Sequence, residues 1–119
     1  MANKEFTRDA WRVRNAVANR RSLDVGKVSV DARGGGVYAY FNGVQFFMLR
    51  DGYWRVDTWG SRDRELVMYV NACLSGAYAL VRMFYSENGR RVGVVGREGV
   101  LAENVQWFNN SVLERGARP

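Results

Sequence analysis

The sequence predicts an α+β domain: an N-terminal helix, an antiparallel meander, a second helix, a β-hairpin and a C-terminal helix. Three observations predict it. Asn42-Gly43 and Asp51-Gly52 divide the stretch Val37 to Thr58 into three apolar and aromatic runs. A type I′ hairpin turn needs positive φ at both central residues, which Asn-Gly and Asp-Gly supply. On either side of this meander, apolar residues recur at helical rather than alternating spacing.

The first helix is expected over Phe6 to Arg21. Thr7 is a candidate N-cap, and Asp9 suits the positive end of the helix dipole. Phe6, Ala10, Val13 and Val17 make one narrow apolar stripe. Arg8 and Arg12 fall on the opposite face, and Trp11 lies well off the stripe, so it is either covered by a second layer or exposed. After a turn at Ser22, residues 27–32 alternate and read as an additional, half-exposed strand. Arg33-Gly34-Gly35-Gly36 then reads as a flexible connector. A phosphate-cradling loop would want a helix directly after it, and here a strand follows.

The meander spans about 37–58. Two-residue loops at 42–43 and 51–52 set its expected registers: Phe41 opposite Val44, Ala39 opposite Phe46, Val37 opposite Met48, Met48 opposite Arg55, Leu49 opposite Trp54 and Arg50 opposite Tyr53. Simple alternation then puts Tyr38, Tyr40, Phe47, Leu49, Trp54 and Val56 on an apolar core face. The other face receives Phe41, Val44, Phe46, Met48, Arg50, Tyr53, Arg55, Asp57 and Trp59. Such a mixture of rings and guanidinium groups is either covered by a helix or is a binding surface.

A second helix is expected over 62–75, opened by Ser61, with Leu66, Val67, Val70, Cys73 and Leu74 facing the sheet. Cys73 lies within that stripe and reads as an inert core thiol. A hairpin follows at about 78–95, with a helix running on through Gly76 as the competing reading. Gly96-Arg97-Glu98-Gly99 matches the GXXG of KH domains. That loop joins two helices, however, and this one follows a strand. The last helix is expected at about 102–115, where Leu101, Val105, Phe108 and Val112 share a face and Trp107 lies off it.

Composition narrows the function classes. The 119 residues make one domain, 1–119, large enough for its own core. A single cysteine excludes an internal disulfide, and no apolar run is long enough for a membrane span, so a cytoplasmic protein without membrane attachment is expected. There is no histidine, which removes the usual general base and the commonest metal ligand. With one cysteine and scattered carboxylates, no catalytic set, metal site or cofactor site is expected. The net charge is +6, and of the 18 basic residues only Lys4 and Lys27 are lysines. Arginine holds phosphates bidentately and stacks on rings.

The order helix, three strands, helix over about residues 7–75 resembles that of double-stranded-RNA-binding domains. Their lysine-rich helix opening corresponds here to Ser61-Arg62-Asp63-Arg64-Glu65, where acids interrupt the basic residues. The resemblance lies in element order alone, and no site residue carries over from it.

The expected function is that of a small non-enzymatic binding protein. Its partner would be nucleic acid, a nucleoprotein or an acidic protein. The candidate contact residues are Arg8, Trp11, Arg12, Arg50, Tyr53, Arg55, Trp59 and Trp107. The competing reading is a protein-directed inhibitor or effector, of the kind phages carry, anchored by exposed tryptophans such as Trp11, Trp59 or Trp107.

Overall fold

The computed structural model of the chain describes residues 6–51, 53–58, 61, 63–79, 82–85, 92–96, 99–103 and 107–109. Helix α1 covers Arg8–Asn19. Strands β1 (Leu23–Val25), β2 (Val28–Arg33), β3 (Gly36–Phe41), β4 (Val44–Arg50) and β5 (Tyr53–Asp57) follow as one antiparallel meander. Helix α2 covers Arg64–Gly76. Strands β6 (Arg82–Tyr85), β7 (Val92–Gly96) and β8 (Gly99–Glu103) form a second antiparallel sheet. Strand β9 (Trp107–Asn109) returns to the first sheet beside β5.

Each connection in the meander is two residues long. Asn42 and Gly43 have φ of 50° and 81°, and Asp51 has 54°, as the turn signals require. Gly34 and Gly35 have φ of 55° and 82° and join β2 to β3 with Arg33 opposite Gly36. The glycine run is therefore a tight turn rather than a loose connector. Gly26, with φ of 58°, turns β1 into β2. The expected strand at 27–32 is β2, and β1 precedes it where the sequence suggested only a turn. Five strands thus separate the helices, so the three-strand order of double-stranded-RNA-binding domains is not this chain's order.

One irregularity decides the faces of the sheet. Near the 42–43 turn the register is as expected, with Phe41 opposite Val44. A bulge then intervenes: Tyr40 pairs with Gln45 but Ala39 pairs with Phe47, so Phe46 is the extra residue. The expected pairings of Ala39 with Phe46 and Val37 with Met48 become Ala39 with Phe47 and Val37 with Leu49. Beyond the bulge, Met48, Leu49 and Arg50 face Arg55, Trp54 and Tyr53 as predicted. The core face therefore carries Val28, Val30, Val37, Ala39, Phe41, Phe47, Leu49, Trp54 and Val56, all buried. Tyr38 and Tyr40, expected in the core, are on the outer side, and Phe41, expected outside, packs near Tyr69 of α2. Phe46 was also expected outside. It is 1% exposed and joins Phe47 in the core cluster, because the bulge breaks the alternation that would have put the two on opposite faces.

Both helices pack on the core face. The predicted residues Ala10, Val13 and Val17 of α1 and Leu66, Val67, Val70, Cys73 and Leu74 of α2 are buried, and Ala16, Tyr69, Ala72 and Gly76, which were not predicted, are buried with them. The N-cap of α2 is Asp63, whose Oδ1 accepts from the Glu65 N–H at 2.8 Å, and Ser61 Oγ in turn accepts from the Asp63 N–H. The helices cross very closely. A Cβ at Gly76 would lie 2.5 Å from the Arg14 carbonyl oxygen and 2.9 Å from Val17 Cβ. Helix α2 includes Gly76 and ends through Ala77 and Tyr78, so β6 begins at Arg82 rather than at 78.

The second sheet is tied to α2 by the Asn71 amide and by Met83, which is buried in the common core. Asn71 Nδ2 donates to the Met83 carbonyl at 2.9 Å, and the Met83 N–H donates to Asn71 Oδ1 at 2.7 Å. The Gly96–Gly99 pair closes a β7–β8 hairpin, so the GXXG segment joins strands and not helices. The C-terminal helix expected over 102–115 is corrected where the chain is described. Residues 99–103 and 107–109 are strand, and the rest of the range lies outside the described residues. Phe108 pairs with Val56 along the edge of β5, whose backbone groups need a partner that a helix could not supply.

Two expectations follow. Gly76→Ala should push α1 and α2 apart and cost about 1–3 kcal/mol in thermal or denaturant unfolding, as overpacking does. Burial pushes the Cys73 thiol well above its ordinary value of 9.0. Below that value both states keep the proton. As pH rises above it, only the unfolded chain ionises and stability falls, by about 1 kcal/mol between pH 9 and 10. Cys73→Ala should flatten that decline, and the native thiol should resist thiol reagents until the protein unfolds.

Candidate nucleic-acid interface

The outer face of the sheet is built from the residues that the bulge leaves there. Cross-strand register aligns Asp31, Tyr38, Met48 and Arg55 on four successive strands, β2 to β5. The next row toward the 34–35 and 51–52 turns reads Arg33, Gly36, Arg50 and Tyr53. Arg33, Arg50 and Arg55 are exposed, Tyr40 and Met48 are half-buried, and neither helix lies on this side.

Tyr38 is the centre of the cluster. It is only 7% exposed although it lies on the outer side, because arginines enclose it. The Arg33 guanidinium lies over its ring, 4.3 Å from the centroid. Arg50 Nη1 donates to its hydroxyl at 2.7 Å. The ring also fills the space above Gly36, where a Cβ would come within 2.8 Å of Tyr38 Oη and 3.0 Å of Cζ. A glycine in a strand ordinarily leaves a gap where a side chain would stand. Here the gap is the seat of the ring.

Arg33 is fixed from three directions. Besides lying on Tyr38, it donates from Nε to Asp31 Oδ2 at 2.6 Å and from Nη2 to Tyr40 Oη at 3.1 Å. The hydrogen bonds to Tyr40 and then to Asp31 raise its pKa further above the ordinary arginine value. Its side chain nonetheless keeps 57% of its surface in solvent. The result is an ordered cationic plate, backed by a ring, on an otherwise open sheet.

Comparison with protein-family models, curated proteins and solved structures finds no match to this chain.

The predicted contact residues divide between two surfaces. Arg50 and Arg55 belong to the outer sheet face, with Tyr53 in register beside Arg50. Arg8 and Arg12 are exposed on α1, in the helical layer on the other side of the sheet, and Arg12 is 3.8 Å from Asp9. Trp11 has a structural task. Thr7 Oγ1 caps the helix by accepting from the Ala10 N–H, and Phe6, just before the cap, meets Trp11 edge to face with centroids 5.2 Å apart. That is a hydrophobic staple, which fixes the angle at which the chain enters the helix. Trp59 lies outside the described residues. Trp107 is placed by its backbone, opposite Asp57 on β9. Sequence reasoning missed Arg33 because the glycine run made it look like part of a connector. It missed Tyr38 and Tyr40 because the bulge reverses their side.

Among the described residues no three His, Cys, Asp or Glu side chains cluster as metal ligands. No helix among them is long and apolar enough to cross a membrane.

Gly36→Ala tests how the cluster is seated. Displacing the Tyr38 ring should break its contacts with Arg33 and Arg50. The expected result is a loss of about 1–2 kcal/mol in unfolding free energy, with a changed tyrosine signal in near-ultraviolet circular dichroism.

Proposed function

We propose that this chain is a small, basic, non-enzymatic binding protein that engages nucleic acid, free or within a nucleoprotein, through the outer face of its meander. The observation that carries the reading is the Arg33–Tyr38–Arg50 cluster, over which no described helix lies, with the exposed Arg55 in register beside it. Three guanidinium groups and the half-open Tyr40 ring supply charge for phosphates and flat surfaces for bases. The net charge of +6 adds a long-range attraction of the same sign. Charge-driven contact of this kind binds backbone with little choice of sequence.

The reading directed at a protein partner depends on exposed tryptophans. Trp54 is 1% exposed in the core, and Trp11 is committed to the helix cap. The side chains of the other named anchors, Trp59 and Trp107, lie outside the described residues.

The reading requires a mobility shift with DNA or RNA at about 50 mM salt, weakening steeply as salt rises. Arg50→Ala combined with Arg55→Ala should weaken binding about tenfold or more. It should also lower the slope of log affinity against log salt by up to about 2, because each phosphate contact contributes roughly one unit. Far-ultraviolet circular dichroism should stay unchanged, since both residues are exposed, while the near-ultraviolet tyrosine signal should change as Tyr38 loses Arg50. No shift at low salt with either nucleic acid would exclude the proposal.

A further inference from the structure

We infer that the Arg33 guanidinium is a stacking plate for an unpaired base, so that the outer face selects single-stranded over double-stranded nucleic acid. The inference rests on the nucleic-acid reading above and adds the form of the ligand and the residue that discriminates it. Its first support is the way Arg33 is held. An exposed arginine ordinarily samples many rotamers, and ordering it costs up to about 2 kcal/mol of side-chain entropy. Here a ring beneath, a carboxylate at Nε and a hydroxyl at Nη2 have already fixed it. Asp31 also offsets much of its charge. Arg33 is thus poorly suited to gripping a phosphate but well suited to presenting a flat π surface. Guanidinium planes are among the surfaces on which splayed bases stack.

The second support is geometric. From β1 to β5 the sheet spans four strand spacings of about 4.8 Å each, roughly 19 Å in all. The major groove is about 12 Å wide and admits a helix or a two-stranded ribbon. A sheet this wide does not seat in an undeformed major groove, so an undistorted duplex would meet this face chiefly through its phosphates. A single strand can lay its bases on the sheet, one on the Arg33 plate beside the half-open Tyr40, with phosphates toward Arg50 and Arg55.

The test is fluorescence anisotropy with the full chain at about 50 mM salt, using a labelled strand of about 12 nucleotides, within the usual size of single-strand sites. The probes are that strand, its blunt duplex, and the same strand with bases replaced by abasic sites. The expected result is at least about tenfold tighter binding of the single strand than of the duplex, and about fivefold or more tighter than of the abasic strand. Arg33→Lys keeps the charge and removes the plate. It should close most of the gap between base-bearing and abasic strands, with duplex binding falling no more than that of the abasic strand. Arg21→Ala, which removes an exposed charge off the face, should leave both ratios intact. Equal or tighter binding of the duplex would overturn the inference and leave the parent reading standing. So would an Arg33→Lys protein that still prefers base-bearing strands as strongly. Failure of all three probes to bind would remove the parent reading as well.

Discussion

A sheet has two sides, and the described helices cover one of them. That imbalance shapes the rest of the molecule. The covered side is closed with Val, Phe, Leu and Trp against α1 and α2, which approach so closely at Gly76 that backbone meets backbone. The other side has no helix above it among the described residues. There a large side chain serves as its own roof: Tyr38 folds down over Gly36, and two arginines complete its enclosure. The surface is stiff because the sheet needs it to be, and stiffness is what a recognition surface also needs.

Much of the architecture is legible in residue order because it depends on local chemistry. Positive φ at Asn42, Gly43 and Asp51 follows from the residue types. The apolar stripes of both helices follow from spacing, and each predicted member in the described residues of α2 is buried. The bulge is less legible. Its trace in the sequence is a matter of length: β2 and β3 have six residues each, and β4 has seven. The odd residue has to be absorbed for the turns at both ends to close. Which residue absorbs it depends on how the Phe46 and Phe47 rings fill the core, a tertiary choice that alternation cannot express. The C-terminal stretch failed for a related reason. Leu101, Val105, Phe108 and Val112 have helical spacing, but the unfilled edge of β5 takes residues 107–109 as strand instead.

The candidate surface was half legible. Arg50 and Arg55 lie beyond the bulge, in register with β5, so alternation placed them correctly. Tyr38 and Tyr40 lie before it and were placed on the wrong side. Arg33 carried no signal of its own. Its importance comes from Asp31, Tyr38 and Tyr40, neighbours on the same strand and the next, whose meeting depends on the Gly34–Gly35 turn.

The Asn71 amide has a separate consequence. By offering one donor and one acceptor to Met83 it stands in, at a single residue, for an entire neighbouring strand. The β6–β8 sheet is thereby tied to α2 at Met83, whose side chain is buried in the common core. Beyond β8 the chain comes back to the main sheet at β9. The small sheet is therefore an excursion between two fixed stations, and it could lengthen, shorten or be exchanged over generations while the meander beneath the arginines kept its shape.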